Sequence, residues 1–351
     1  MQKLSLAVVG CGAVSLLQHL PALERRSDVR LAAVVDPDVE RGREVARAHG
    51  AEAALVSHED LVGRGIDAAI VATPNHLHAP ITIDLLQAGL HVLVEKPMAI
   101  TAAECDAMIA AADGAGRVLS VGLIQRFSAA ARLAKAVIDR GELGRLHGYE
   151  MENGVVFAWP VVSDYMFRRD AAGGGVLIDL GVHILDQALW WFGDVDGQEY
   201  YDDAWGGLEA DASLRVSHTS GVEGSLELSR TRMLRQRAVV HGEHGSVEVG
   251  VYENAFGVRW RGVGGVRGPA RIAGELPVPR HDVVDLTASL HADFLQAVRE
   301  HRQPSVPGME GRRSVAVIED CYRDRRPLLM PWDMPWAPSD QDHLTGARHG
   351  A

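Results

Sequence analysis

Leu4-Ser5-Leu6-Ala7-Val8-Val9-Gly10-Cys11-Gly12-Ala13-Val14-Ser15 is the stretch on which the fold turns. Its first six residues form a short apolar run of the kind buried in a parallel sheet. A Gly10-x-Gly12-x-x-Ser15 turn follows, and a helical pattern then runs to about residue 26. Strand, glycine turn and helix in that order are the context in which a G-x-G-x-x-G pattern carries meaning. Gly10 permits the tight turn. Gly12 lets the backbone approach a pyrophosphate held at the helix N-terminus, where Ala13 and Val14 lie. Ser15 stands where glycine or alanine is usual, and it is small enough for close helix–sheet packing.

Working outward, the next predicted strand (31–35) delivers Asp36, 21 positions after Ser15. An acid there accepts hydrogen bonds from ribose hydroxyls and repels a 2′-phosphate. Asp38 adds charge of the same sign, and Arg41 is the only nearby cation. The expected cofactor is NAD, with NADP left open by Arg41. Asp36 also suits a plain turn role in Asp36-Pro37-Asp38.

The alternation continues with predicted helices at 39–48, 81–88 and 102–112 and strands near 54–56, 67–72, 91–94 and 118–122. Such β-α units predict a doubly wound parallel sheet, whose ligands sit beyond the carboxyl ends of its strands. Thr73-Pro74-Asn75-His76-Leu77-His78 and Glu95-Lys96-Pro97 lie at such ends, so they are expected to converge with Asp36. Thr73, Asn75, His78, Glu95 and Lys96 are the candidates to face the cofactor. His76-x-His78 has no carboxylate or cysteine nearby at ligand spacing, and His241 to His244 fall in a predicted hairpin turn, so no metal is expected.

A helix at 130–139 and a turn at 141–144 lead into a different pattern. Apolar and polar residues alternate most clearly at 222–229, with further strands near 198–204, 210–218, 235–241, 246–251 and 256–261. The Gly- and Pro-rich segment 262–279 reads as loop. Late helices are predicted at 286–300 and 309–323, the second returning to the first domain. The expected fold class is α/β plus α+β: residues 1–127 a nucleotide-binding domain, 128–338 a mainly antiparallel open sheet, 339–351 a disordered tail.

Within the second part lies Gly173-Gly174-Gly175-Val-Leu-Ile-Asp179-Leu-Gly181-Val-His183-Ile-Leu-Asp186. On a helix spanning 174–192, Asp179 and His183 share a face one turn apart, and Asp186 continues it. A carboxylate beside an imidazole, where glycines let another molecule approach, suits proton transfer to a small polar substrate. A buried, hydrogen-bonded core pair is the other reading. Trp159, Tyr165 and Phe167 suit stacking on a sugar ring, and Arg168 suits hydrogen bonds to hydroxyls or a phosphate. The aromatics suit capping the sheet core equally well.

The 351 residues are 47% hydrophobic and 23% charged, ordinary for a globular protein of two domains. A net charge of −12 without a basic run argues against nucleic acid or an anionic membrane as partner. Three scattered cysteines make no disulfide framework, no leader is read at the N-terminus, and a cytoplasmic location is expected. No apolar run approaches the roughly 18 residues that span a bilayer.

Taken in order, five motifs resemble the glucose–fructose oxidoreductase / inositol dehydrogenase / rhizopine-catabolism (Gfo/Idh/MocA) family. They are the N-terminal glycine loop, Thr73-Pro74-Asn75-x-x-His78, Glu95-Lys96-Pro97, Val121-Gly122-x-x-x-Arg126-Phe127, and the Gly173–Asp186 segment. The resemblance covers nearly the whole chain. It implies a Rossmann domain and an open-sheet domain that forms homo-oligomers, a dimer or tetramer. It also implies an NAD(P)-dependent dehydrogenase or ketoreductase acting on one carbinol of a sugar, cyclitol or sugar nucleotide. By position, Lys96, Asp179 and His183 would be the catalytic set. His183, with its ordinary pKa of about 6.5, would take the hydroxyl proton. Lys96 would stabilise charge on oxygen, and Asp179 would orient the imidazole or grip a hydroxyl. Ser15 departs from the pattern, as does Ile124, which stands where many members carry a polar residue near the nicotinamide. A sugar-binding sensor without catalysis and an NAD-dependent glycosidase are the competing readings. Apolar side chains on the outer sheet face are expected to drive self-association.

Overall fold

The apolar run of the opening stretch forms β1 (Leu4–Val9), the centre of a six-stranded parallel sheet. Its partners are β2 (Val29–Val35), β3 (Ala53–Leu55), β4 (Ala68–Val71), β5 (His91–Val94) and β6 (Leu119–Val121), in the order β3-β2-β1-β4-β5-β6. The computed structural model describes residues 3–204, 207–251, 256–260, 270–272 and 282–328. The loop expected at 262–279 and the tail expected at 339–351 lie outside them. Val8, Ile70 and Leu93 are completely buried, as continuous apolar strands covered on both faces must be. The strand order reverses between β1 and β4, and the crevice at that switch point is where such sheets take ligands. α2 (Val39–His49), α3 (His78–Gln87) and α4 (Ala102–Ala115) cover the faces of this sheet.

The first helix departs from the expected α-helix. Ser15–His19 is a π turn, followed by α1 (Leu20–Glu24). The wider turn carries Ser15 and His19, both fully buried, and such turns cluster at functional sites.

α5 (Ala129–Asp139) leads into the second sheet, built from β7 (Leu146–Gly154), β8 (Val195–Asp202), β9 (Asp211–His218), β10 (Glu223–Ser229), β11 (Arg237–Gly242), β12 (Gly245–Gly250), β13 (Phe256–Trp260), β14 (Ala270–Ile272) and β15 (Arg326–Pro327). Its order is β14-β13-β12-β11-β7-β10-β9-β8-β15, antiparallel except for the β7–β10 and β8–β15 pairs. Tyr149, Met151, Leu214, Leu226 and Val240 point from it into the core. The opposite face is not the apolar surface expected from the pattern. It carries Glu150, Glu152, Arg215, Ser225, Glu227, Arg237 and Glu248, with Arg237 3.2 Å from Glu248 and 3.6 Å from Glu152.

The short α6 (Arg169–Ala172) precedes the glycines. The predicted helix at 174–192 is a second π turn, Leu177–Gly181, running into α7 (Val182–Phe192). Both late helices, not the second alone, return to the first domain. α8 (Val283–Glu300) packs on α1 and the Ser15–His19 turn. α9 (Gly308–Arg323) packs on α4 and β6 while also touching α7 and β8. It therefore clamps the two sheets together.

Candidate active site

The crevice beyond β1 and β4 is shaped to admit a dinucleotide. Gly10 has a φ of +97°, and a side chain there would collide with the Ala72 carbonyl, so only glycine fits. Gly12 is the opposite case. Nothing lies within 4 Å of the position its Cβ would take, which leaves space at the start of the helix for a phosphate and its charge. The Ser15 hydroxyl donates to the Gly10 carbonyl at 2.6 Å and so pins the turn from below. Asp36 accepts from the Cys11 and Asp38 amides, both at 2.9 Å, which aims its carboxylate at the glycine loop. Arg41 is shared: its Nε lies 3.3 Å from Asp36 and its other nitrogen 2.9 Å from Asp38. At the end of β4 the Thr73 hydroxyl is buried without a hydrogen-bond partner among the described residues. An orphan of that kind beside the crevice fits a bound polar group. With Gly12, Asp36 and Thr73, the residues present fit NAD.

Three of the residues expected to face the cofactor also make hydrogen bonds within the protein. His78 is buried with its ring nitrogens 2.7 and 2.9 Å from the Pro97 and Thr73 carbonyls, so it staples two strand ends together. Asn75 donates to the Ala172 carbonyl at 2.8 Å and ties the crevice wall to the second sheet's glycine loop. Glu95 points inward. Its two oxygens accept from the Lys96 amide at 3.0 Å and from His19 at 2.9 Å. A side chain on Gly122 would come within 2.7 Å of that carboxylate, which accounts for the glycine. Burial pushes the Glu95 carboxyl up, but hydrogen bonding and charge from His19 and Lys96 bring it below its ordinary range.

Lys96 reaches across to the second domain. Its Nζ lies 3.0 Å from Oδ1 of Asp179 and 3.1 Å from the Asp179 backbone carbonyl. The other carboxylate oxygen pairs with Arg230, just past β10. Asp179 thus sits between two cations. Among the described residues no hydrogen bond joins it to His183, so of its two expected roles, orienting the imidazole or gripping a hydroxyl, only the second is left open by the geometry. His183 is 8% exposed, and its Nδ1 is buried without a hydrogen-bond partner among the described residues. Burial, and then the charge of Lys96, push its pKa down to about 3. The ring is therefore neutral at physiological pH and does not keep its ordinary value near 6.5. Asp186 is engaged away from the other two. It is fully buried and held by Arg126 at 2.6 and 2.9 Å, with Glu310 of α9 2.7 Å from the same guanidinium.

The three glycines before Asp179 have a different reason from the one the sequence suggested. A side chain on Gly174 would collide with the Tyr322 hydroxyl, and one on Gly175 with the backbone of Glu209. The Glu209 carboxylate accepts from the Gly175 amide at 2.9 Å, the Leu177 amide at 3.1 Å and the Tyr322 hydroxyl at 2.6 Å. It caps the turn that presents Asp179, a task usually done by a neighbour in sequence. The close approach is by the protein's own chain.

Of the expected substrate contacts, Tyr165 is partly buried near Lys96, and burial pushes its hydroxyl up. Phe167 meets Phe157 edge-on at 5.7 Å, and Arg230 lies 5.4 Å over the Phe157 ring. Arg168 is exposed and held by Asp170 at 2.7 Å. No hydrogen bond or ring contact joins Trp159 to the site among the described residues.

His19, Glu209, Arg230, His291 and Tyr322 escaped the sequence reading, and so did Gln125, whose amide is fully buried and unpartnered among the described residues. A Gln125-Arg126-Phe127 run at the end of a predicted strand was the one available signal; the others come from distant elements. Among the described residues no cluster of His, Cys, Asp or Glu is arranged to hold a metal, and no helix is long and apolar enough to cross a membrane.

Comparison with known proteins accords with this geometry. Residues 4–123 match the model of the oxidoreductase family with an NAD-binding Rossmann fold, and residues 131–248 match the GFO/IDH/MocA C-terminal domain. The 1,5-anhydro-D-fructose reductase of Ensifer adhaerens is 30% identical over 299 residues, 83% of this chain and 87% of that protein. Levoglucosan dehydrogenase of Pseudarthrobacter phenanthrenivorans is 27% identical, covering 92% and 95%. The crystal structure of aldose-aldose oxidoreductase from Caulobacter crescentus superposes with a TM-score of 0.80 at 28% identity, over 92% of this chain and 97% of that one. The chain belongs to the GFO/IDH/MocA family of oxidoreductases and carries its NAD-binding domain.

Proposed function

We propose that the protein transfers hydride between NAD(H) and a carbinol or ketone of a sugar, cyclitol or sugar nucleotide. In this reading residues 1–127 hold the dinucleotide and residues 128–338 the substrate. The observation that carries it is the Lys96–Asp179 contact of 3.0 Å, formed where the strand ends of the first sheet meet the π turn of the second. Gly12 and the helix start would hold the pyrophosphate, Asp36 the adenosine ribose, and Thr73 a further polar group of the cofactor. NAD supplies the hydride acceptor in oxidation and the donor in reduction.

The side chains divide the remaining work. Lys96 places a positive charge beside the reacting oxygen, where negative charge develops. His183, neutral at physiological pH, accepts the hydroxyl proton in oxidation. A base this weak suffices, because the oxygen grows strongly acidic as hydride leaves carbon. Tyr165, Phe157 and Phe167 line the substrate side.

The three cysteines are free and buried, in keeping with a reducing cytoplasm. Self-association as a dimer or tetramer through the polar outer sheet face is part of the same proposal, and light scattering at micromolar concentration tests it. The activity is tested with a panel of levoglucosan, scyllo-inositol, 1,5-anhydro-D-fructose and nucleotide sugars, followed at the NADH absorbance band with both cofactors. Turnover with accumulating NADH, or its consumption in the reverse direction, is the expected result. Binding without turnover would point to the sensor, and product formation without net NADH to the glycosidase.

A further inference from the structure

We propose that Arg230 is a positioning residue for this chemistry, acting through Asp179 to keep the Lys96 charge available to the substrate oxygen. The proposal rests on the reading above in which Lys96 stands at the reacting carbinol.

The backbone of Arg230 is held on both sides. Its amide donates to the Ala210 carbonyl at 2.8 Å, and its carbonyl accepts from the Phe157 amide at 3.0 Å. The next two amides are drawn in by the Ser229 hydroxyl at 3.1 and 2.9 Å. From this rigid corner the side chain crosses the Phe157 ring and pairs with Oδ2 of Asp179, while Lys96 takes Oδ1. An arginine so placed brings a permanent charge in a fixed orientation, which a lysine on a flexible stem does less well.

Electrostatics gives the arrangement its purpose. A carboxylate facing Lys96 alone would neutralise the ammonium and would also repel the negative charge growing on the substrate oxygen. With Arg230 on its far oxygen, Asp179 is compensated, and the three groups together carry one net positive charge. The other titratable groups around Lys96 are Glu95, engaged by His19, the neutral His183, the buried His78 and Tyr165. None of these supplies a second fixed cation. Arg230 also joins the Asp179 carboxylate to the Phe157–Phe167 pair.

The test compares Arg230→Gln and Arg230→Lys in the full-length enzyme, using the best-turned-over member of the panel above. Arg230→Gln should lower kcat by about ten- to a hundredfold with NADH affinity, read by fluorescence titration, within a few-fold. The basic limb of its pH–kcat profile should move to higher pH, because removing a cation beside Lys96 favours the protonated amine. Arg230→Lys should restore the position of that limb and part of kcat. An unmoved limb in Arg230→Gln, or a Lys variant no better than the Gln variant, would overturn the proposal. So would a rise in KM alone, which would make Arg230 a direct substrate contact. Lys96→Met is the control: if it retained turnover, the reading of the site itself would fail, whatever Arg230 does.

Discussion

His19 and Glu95 come from opposite sides of the nucleotide crevice and share a 2.9 Å hydrogen bond that closes its floor. His19 then meets His291 of α8, nitrogen to nitrogen at 2.9 Å, with the rings stacked. The π turn at Ser15–His19 makes this possible by turning His19 inward. Because the other Glu95 oxygen holds the Lys96 amide, the chain of three side chains fixes the backbone from which Lys96 extends.

His19→Ala should therefore be costly. It strands one oxygen of a buried carboxylate, a loss of about 1–3 kcal/mol. Thermal unfolding would report it as a clear fall in Tm, and His19→Asn, whose amide can still donate, should recover part. A Tm unchanged in His19→Ala would mean that water or rearrangement satisfies Glu95.

The sequence made the first sheet readable because its signals are local. An apolar run, a glycine turn and an acid 21 residues on sit within one supersecondary unit. Asp179 and Lys96 were readable for the same reason, each within a short motif. What escaped are partners that only the tertiary fold brings together: Arg230 on Asp179, Tyr322 and Glu209 against the glycines, His291 behind His19. Helical spacing at Asp179–His183–Asp186 also gave no hint of the distant partners, Lys96 and Arg230 for Asp179 and Arg126 for Asp186. The outer sheet face was misjudged because an uncovered sheet was taken to be apolar. Its alternation instead places charges there that pair across strands.

The two glycine clusters should respond differently to alanine. Gly12→Ala has room in the free protein and should leave Tm almost unchanged, yet weaken NADH binding by about tenfold or more. Gly174→Ala collides with Tyr322 and should lower Tm markedly with little direct effect on the dinucleotide crevice. Scanning calorimetry and NADH fluorescence on both variants would reveal a reversal of this pattern, if there is one.

Cofactor choice should follow Asp36. Its carboxylate is fixed by two amides, and Arg41 is divided between it and Asp38, so no unshared cation among these three greets a 2′-phosphate. Wild type should bind NADH more tightly than NADPH, and Asp36→Ser should narrow the gap by removing the repulsion. Tighter NADPH binding in wild type would show that Arg41 swings to the phosphate.

Acid should destabilise the fold through its buried histidines. His91 accepts from the Val118 amide at 2.9 Å, and burial, then Arg117, push its pKa down to about 4. His183 lies at about 3. With folded values below the unfolded 6.5, the unfolded chain binds more protons between these limits. Their contribution is fully present above pH 6.5 and is lost as pH falls toward 4 and 3. Each histidine adds a slope of about 1.4 kcal/mol per pH unit within its window. Urea midpoints measured from pH 7 to 4.5 should fall for wild type and fall less steeply for His91→Asn. Parallel slopes would remove His91 from the account.

The depressed His183 also governs the reaction's pH dependence. A neutral imidazole in the free enzyme should leave kcat/KM without an acid limb near 6.5 from this residue, so activity should persist below pH 6 as far as the fold survives. Lys96→Met and His183→Ala should each lower turnover on the order of 10²–10⁴-fold with NADH affinity within a few-fold. Asp179→Asn should hurt less, since the amide oxygen can still accept from Lys96. The double variant Lys96→Met/His183→Ala should fall far short of the product of the single losses, because groups acting on one oxygen fail together. A His183→Ala enzyme with near-normal turnover would require the proton to leave through another group, with Tyr165 the next to replace. An acid limb near 6.5 that vanished in His183→Ala would show instead that bound cofactor and substrate raise the imidazole back to its ordinary range.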